Sequence, residues 1–315
     1  MRLCHGSRIM PVMPRPSTTG ARNPPAQRTL GEALRHEAKR LRGISESPRL
    51  DCELLLAHTL GIQRADLFAR SRETLNLAHA NRFQELIEQR AEGRPVAQII
   101  GRKEFFSLEF EITAEALTPR PESELLVEAA SSYLESMGGR ARCMELGTGG
   151  GAVAIALARQ WPECRITATD ICAAALELAR RNAAKLCPGR IRFTQGSWYE
   201  AAGKQSRFDL IVANPPYVES RLCRLGPLRY EPRRALDGGS DGLRHLRAVI
   251  AGAPRHLSTG GMLAVEHGAN QGGKVRKLMS AAGLARPFTR RDLAGHERVS
   301  AARKAEPEKE RRTGS

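Results

Sequence analysis

The hydrophobic pattern changes period along the chain, and the changes divide it. From residue 28, apolar positions recur at helical spacing. Leu30, Leu34, Ala38 and Leu41 fall on one face. Thr29-Leu30-Gly31-Glu32 has the form of a capping box, in which Thr29 caps the helix and Glu32 reaches back. Ser47-Pro48 reads as an N-cap followed by a first-turn proline, opening a helix through Leu50, Leu54 and Ala57 that stops at Gly61. Another helix is expected from about Leu77 to Glu92, with Phe83, Leu86 and Ile87 as its apolar positions. Residues 28–96 are therefore expected to form a small all-helical domain. Over 97–118 the period falls to two. Phe106, Leu108, Phe110 and Ile112 alternate with Ser107, Glu109 and Glu111, and Ile99-Ile100-Gly101 is the expected partner strand of a β-hairpin linker.

Over 119–303 the two periods alternate. Helices are expected at 122–137, 152–160, 172–186, 241–257 and 271–282. Strands are expected at 142–146, 165–169, 190–194, 207–213 and 261–266, with a terminal strand pair near 286–302. Strands separated by helices predict an α/β fold with a doubly wound parallel sheet. Residues 1–27, with five prolines and no apolar period, are expected to be a disordered tail, and 304–315 a charged one.

No stretch approaches the roughly 18 apolar residues of a membrane-spanning helix. The seven cysteines are scattered and contain no C-x-x-C pair, which argues against a zinc site or a disulfide scaffold and fits a reducing cytosol. The net charge of +16 invites a nucleic-acid partner, but its distribution weakens that reading. Residues 1–30 carry five Arg and no acid, and residues 286–315 carry nine Lys/Arg against five Asp/Glu, so more than half of the excess sits at the ends. A mildly basic body suits an RNA-rich neighbourhood such as the ribosome without identifying a substrate. The acid-free start also resembles a transit peptide. Its prolines leave no amphipathic helix, which favours an over-long start with translation beginning at Met10 or Met13.

Two segments carry candidate chemistry. Glu145-Leu146-Gly147-Thr148-Gly149-Gly150-Gly151-Ala152 lies between a strand and a helix, where glycines let the backbone approach a ligand closely. Asp170 ends the next strand, where a carboxylate can accept from ribose hydroxyls. A nucleoside-bearing cofactor follows. Gly147-x-Gly149-x-x-Ala152 with an acid about 20 residues on also satisfies the dinucleotide fingerprint, so an NAD enzyme is a rival. The feature that discriminates is Glu145, because E-x-G-x-G-x-G resembles motif I of the class I methyltransferases. The second segment, Asn214-Pro215-Pro216-Tyr217, follows the apolar strand 207–213. Two prolines remove two N–H donors and leave carbonyl oxygens free, and the Asn side chain adds another acceptor. The Asn214 side-chain oxygen and the Pro215 backbone oxygen can grip the two hydrogens of a planar –NH2 group and align its nitrogen for methyl transfer. Tyr217 offers a flat face for the group being methylated. Adenine N6, guanine N2 and glutamine N5 all meet this description. Glu266-His267 lacks a second ligand for a metal, Arg229, Arg233 and Arg234 are either partner-steering or solvated charges, and Glu122 and Glu124 suit a helix N-terminus.

Flanking residues narrow the choice. Residues 28–303 resemble the PrmC/HemK family of glutamine-N5 methyltransferases acting on class I peptide-chain release factors. The resemblance runs through Thr118-Pro119-Arg120-Pro121-Glu122-Ser123-Glu124, the glycine loop, Gln195-Gly196-Ser197-Trp198 and Asn214 to Tyr217. It continues through Arg229-Tyr230-Glu231-Pro232, Asp241-Gly242-Leu243, Glu266-His267-Gly268 and Arg291 to Val299. It implies a class I S-adenosylmethionine-dependent fold, with Rossmann-like topology, and a helical domain that docks the release factor. It further implies that Gly147, Thr148, Gly149, Gly150, Gly151, Asp170 and Asn214 bind S-adenosyl-L-methionine, with Trp198 flanking the adenine, and that Asn214 to Tyr217 hold the glutamine. The family more often has Thr or Ser at Gly150 and Asp at Ser197. A cytoplasmic monomer with no membrane and no direct nucleic-acid partner is expected. The alternatives are a glutamine methyltransferase of a ribosomal protein and a nucleic-acid N-methyltransferase. A degenerate fold serving only as a binding module is disfavoured by the intact Asp170 and Asn214.

Overall fold

Thr29 opens the first helix as the capping box requires. Its Oγ1 accepts from the Glu32 N–H at 3.3 Å, and Glu32 Oε2 accepts from the Thr29 N–H at 2.9 Å. This is a computed structural model, and it describes residues 28–203 and 206–305. The tail expected over 1–27 and all but the first two residues of the C-terminal one lie outside them. The helical body comprises α1 (Leu30–Arg40), α2 (Pro48–Leu60), α3 (Asp66–Ala69), α4 (Leu77–Ala91) and α5 (Val96–Ile100). Leu34, Leu41, Leu55, Leu56, Leu86 and Ile87 form its core and are fully buried. Each such side chain removed from water contributes roughly 1.5–3 kcal/mol. One detail differs from expectation. Ser47 makes no side-chain cap; its N–H instead donates to Ser45 Oγ at 3.0 Å. Asn76 caps α4 by accepting from the His79 N–H at 2.8 Å.

The hairpin is displaced from its expected place. Ile99 and Ile100 belong to α5, which Gly101 ends in the left-handed conformation (φ +73°). The strands are β1 (Arg102–Phe105) and β2 (Leu108–Glu111), with Phe105 opposite Leu108. Phe106 therefore lies in the turn, with φ +52°, and Ser107 follows with φ +58°. A two-residue turn with both centres left-handed matches the twist of a hairpin. The apolar alternation suggested a longer strand because Phe106 keeps a packing role beside the core.

The larger, C-terminal body contains α6 (Glu124–Ser136), β3 (Arg142–Leu146), α7 (Ala152–Gln160), β4 (Arg165–Asp170), α8 (Ala173–Leu186), β5 (Ile191–Gln195) and β6 (Phe208–Ala213). It continues with α9 (Arg233–Leu236), α10 (Arg244–His256), β7 (Leu257–Glu266), α11 (Gly272–Ala281), β8 (Leu284–Arg291) and β9 (Glu297–Lys304). The seven strands lie in the order β5-β4-β3-β6-β7-β9-β8; the first five are parallel, and β9 runs antiparallel to both of its neighbours, β7 and β8. Alternate residues of the inner strands enter different cores. Cys143, Leu210, Val212 and Ala264 face α6 and α7, whereas Met144, Leu146, Ile211 and Leu263 face α10 and α11. Burial on both faces explains why these strands read as continuous apolar runs. Among the described residues no helix is long and apolar enough to cross a membrane.

The hairpin turn supplies a test of this geometry. Ser107 is exposed and left-handed, so Ser107→Gly should remove backbone strain and stabilise the protein by about 0.5–1 kcal/mol. Thermal unfolding should show a midpoint raised by about 2 °C; a lowered midpoint would contradict the turn.

Candidate active site

Sheet register places the site. The chain winds from β3 outward through β4 and β5, then crosses back to β6 on the other side, so β3 and β6 flank a topological switch point. Leu146 pairs with Ala213, which sets Gly147 and Asn214 side by side across the strand spacing of about 4.8 Å. Leu146 also pairs with Thr169, and Asp170 with Gln195. The carboxyl ends of five adjacent strands therefore present, in a row, Trp198, Asp170, Gly147, Asn214 and Glu266.

The glycine loop is fixed from beneath. The N–H groups of Gly147 and Thr148 both donate to the Thr169 carbonyl at 2.8 Å. Gly147 has φ +72°, and a Cβ there would lie 3.3 Å from the Trp198 ring, so its lack of a side chain serves both backbone and packing. Glu145 is buried beneath the loop. Its Oε2 accepts from Thr148 Oγ1 at 2.5 Å and from the Ala154 N–H at 3.0 Å. Ala154 is the third residue of α7. The protein's own carboxyl thus occupies a helix N-terminal donor that a dinucleotide fold offers to pyrophosphate. Asp170 is likewise engaged, Oδ2 accepting from Gly149 N–H and Oδ1 from Cys172 N–H, each at 2.8 Å. Each of its oxygens retains acceptor capacity for a ribose hydroxyl.

A cavity of about 230 Å³ opens over this row. Phe105, Ala116, Leu117, Val153, Trp198 and Pro216 give it apolar walls; Glu145, Asp170 and Asn214 supply acceptors. An apolar slot with the Asp170 carboxylate at its edge and the buried Glu145 carboxyl filling a helix N-terminal donor fits an adenosine carrying cationic sulfonium and ammonium groups better than a pyrophosphate. His245 leans on Trp198 with ring centroids 5.5 Å apart, and burial, then Arg244, holds its pKa below the ordinary histidine value.

Asn214 is half-buried, and its Nδ2 donates to Ser123 Oγ at 3.1 Å, which leaves its side-chain oxygen uncommitted. Pro216 lines the cavity, whereas Pro215 is buried. Tyr217 departs from expectation. Its ring packs on the core beneath α10 and α11 rather than lining the cavity, and its hydroxyl donates to Glu266 Oε1 at 3.0 Å. Ser123, Glu266, Phe105 and His245 were not singled out as site residues by pattern. The first two sit inside the Thr118–Glu124 and Glu266–Gly268 segments, which the resemblance included without assigning roles. Glu124 does more than favour a helix start, since its Oε1 accepts from the Phe106 N–H at 2.8 Å and ties the hairpin turn to α6. The three loop arginines are also spoken for. Arg233 pairs with Asp237 at 3.1 Å, Arg234 donates to the Glu115 carbonyl at 2.8 Å, and Arg229 stacks on Tyr230 and donates to the Glu92 carbonyl. Among the described residues no group of three or more His, Cys, Asp or Glu is placed to hold a metal.

Glu145 gives a pH signature. Burial pushes its pKa up to about 8, against the lowering effect of Thr148 and the Ala154 N–H, with Asp170 adding to the rise. The folded protein holds this proton where the unfolded chain, at 4.5, has lost it. Its stabilising effect is therefore complete below about pH 4.5 and disappears as pH rises to 8. Glu145→Gln removes that term, so denaturant titrations should show a smaller loss of unfolding free energy between pH 6 and 9 than in the wild type. Equal slopes would exclude a protonated Glu145.

Residues 32–101 match the PrmC N-terminal domain and residues 121–225 the methyltransferase small domain. A release factor glutamine methyltransferase of Burkholderia pseudomallei is 44% identical over 261 residues, covering 81% of this chain and 91% of the relative. That of Coxiella burnetii is 40% identical over 276 residues, covering 88% and 99%. A solved protein-(glutamine-N5) methyltransferase (release factor-specific) from Alicyclobacillus acidocaldarius is 30% identical, covering 63% of this chain and 100% of that one, with a TM-score of 0.38. Because the Burkholderia and Coxiella relatives are 40–44% identical to it over four fifths or more of its length, the chain belongs to the release factor glutamine methyltransferase family, enzymes built on the class I S-adenosylmethionine-dependent methyltransferase fold.

Proposed function

We propose that the protein methylates the N5 amide nitrogen of the glutamine in the Gly-Gly-Gln motif of class I peptide-chain release factors. The observation that carries this reading is the adjacency of Gly147 and Asn214 across the switch point, with the Asn214 amide held by its nitrogen and its oxygen left to accept. When bound, S-adenosylmethionine supplies an electrophilic methyl group on a sulfonium. Gly147 to Gly151 and Asp170 would hold it, with Trp198 against the adenine.

The remaining chemistry belongs to the chain. A glutamine amide is planar, and its nitrogen lone pair is delocalised into the carbonyl. The Asn214 side-chain oxygen and the Pro215 carbonyl accept its two hydrogens, fixing the nitrogen in line with the methyl carbon. Pro216 has no N–H to compete for the neighbouring carbonyls. Held this way, the amide nitrogen would take the methyl group from the bound donor, which would leave as the neutral thioether, and the nitrogen would lose one of its protons to solvent after transfer, as the product leaves the clamp. The two oxygens stabilise the charge that develops on nitrogen. Apolar walls exclude water from the reacting atoms. The helical body, which matches the PrmC N-terminal domain, serves in this reading as the docking module for the protein substrate.

A release factor incubated with enzyme and cofactor should gain the mass of one methyl group on the glutamine of that motif. Asn214→Ala should lower kcat by roughly 10²–10³-fold, the usual loss for one electrostatic partner at a reacting centre, with cofactor affinity within about twofold. Label appearing in RNA, DNA or a ribosomal protein while the release factor stays unmodified would overturn the substrate.

A further inference from the structure

The amide clamp, made of the Asn214 side-chain oxygen and the Pro215 carbonyl, works only if the backbone that carries it is held still. Its near end continues β6, which is paired on both sides through Ala213. Its far end has left the sheet. Two prolines contribute no N–H there, so the segment has few donors with which to tie itself down. Among the described residues, the Tyr217 carbonyl is the one backbone group from Pro215 to Tyr217 that is hydrogen-bonded within the protein, and its partner is Gln271.

Gln271 stands at the N-cap of α11, but its side chain makes no cap for that helix. It is committed instead to backbone groups of three loops. Oε1 accepts from the Gly268 N–H at 2.8 Å, just beyond β7. Nε2 donates to the Tyr217 carbonyl at 3.1 Å and to the Gly242 carbonyl at 3.3 Å, the latter in the turn before α10. An oxygen faces the one donor and an –NH2 faces the two carbonyls, so a single orientation of the amide satisfies all three and the flipped one satisfies none. The junction is close-packed: a Cβ on Gly242 would overlap both the Tyr217 carbonyl and the Gln271 amide. The peptide unit between Tyr217 and Val218 is therefore pinned at both ends, its C=O by Gln271 and its N–H by the Leu236 carbonyl at 2.9 Å. The Gly242 contact reaches toward the cofactor, because His245, three residues on, leans on Trp198.

We infer that Gln271 is a positioning residue that ties the far end of the amide clamp to the turn behind the His245–Trp198 wall, and so fixes the clamp relative to the methyl donor. Gln271 does not line the cavity and acts through the Tyr217 carbonyl. This rests on the amide-clamp reading given above.

Gln271→Met keeps the length and unbranched shape of the side chain and removes all three hydrogen bonds. With a release factor as substrate, kcat should fall by roughly 10-fold or more, since a misplacement of about 1 Å at a reacting centre costs about 10²-fold. KM for the release factor and affinity for the cofactor should stay within about threefold of the wild type. Gln271→Asn, whose amide is one methylene too short to reach all three groups, should lose turnover in the same way. In an Asn214→Ala background, Gln271→Met should cost only about twofold, because both changes damage one clamp. An equal loss in both backgrounds, or wild-type turnover in Gln271→Met, overturns the inference. A second readout needs no substrate. Hydrogen exchange at the Val218 amide should quicken by roughly tenfold in Gln271→Met, while amides in the β3–β4 pairing keep their wild-type rates. Uniform quickening throughout the sheet overturns the inference, because lost stability alone would produce it. Unchanged exchange at Val218 overturns it too, even if the wild-type enzyme methylates something other than a release factor.

Discussion

The parallel pairing of β3 with β6 is the constraint on which the site depends. One register, Leu146 against Ala213, brings together a loop 67 positions from its partner and sets the cofactor cradle beside the clamp. A slip of one residue would turn each inner side chain to the opposite face. Leu210 and Val212 would then face α10 and α11, and Ile211 would face α6 and α7. The two cores therefore hold the chemistry in place, because catalytic geometry is inherited from the packing of Leu, Ile and Val on both sides of the sheet.

Burying carboxyl groups inside such a structure is costly unless they are bonded, and this protein buries two at the active edge. They perform different tasks. Glu145 is bonded to the loop and to the start of α7, and it stiffens the floor under the cofactor. Glu266 accepts the Tyr217 hydroxyl on one oxygen and keeps the other without a hydrogen-bond partner at the end of β7. The Tyr217 hydroxyl, also buried, is committed to it, and burial followed by the Glu266 charge pushes the phenol far above its ordinary pKa. Tyr217 is therefore a fixed donor over the accessible pH range.

Much of this was legible in the amino-acid order. The capping box at Thr29, the left-handed Gly61 and the apolar runs of β3, β6 and β7 are local signals with direct physical causes. The glycine loop, Asp170 and Asn214 could be read because strand-loop-helix order places them at one edge. The errors fell where tertiary packing overrides local pattern. Ile99 and Ile100 look like strand residues, but in α5 they pack on the helical core while Ala97 reaches the core of the sheet. Tyr217 looked like a platform because its partner, Glu266, lies 49 residues away on a neighbouring strand. Ser123 carried no periodic or motif signal of its own, since its meaning comes from a contact across 91 residues.

The loop beyond the clamp has one further property. Val218 N–H donates to the Leu236 carbonyl and Ser220 Oγ meets Asp237, so residues 218–237 leave and return at one place. In between, the Tyr230 hydroxyl and the Arg229 guanidinium both reach the Glu92 carbonyl at the end of α4, and Gln98 Nε2 donates to the Tyr230 carbonyl. The helical body is thus also a mooring for the crown of the active-site loop. A fragment trimmed to begin at the hairpin would keep every residue of the cradle and clamp, yet this span would lose the moorings at Arg229 and Tyr230 and keep only those of Glu231 to Thr118 and Arg234 to Glu115. The two halves are separable on paper and joined in their working parts.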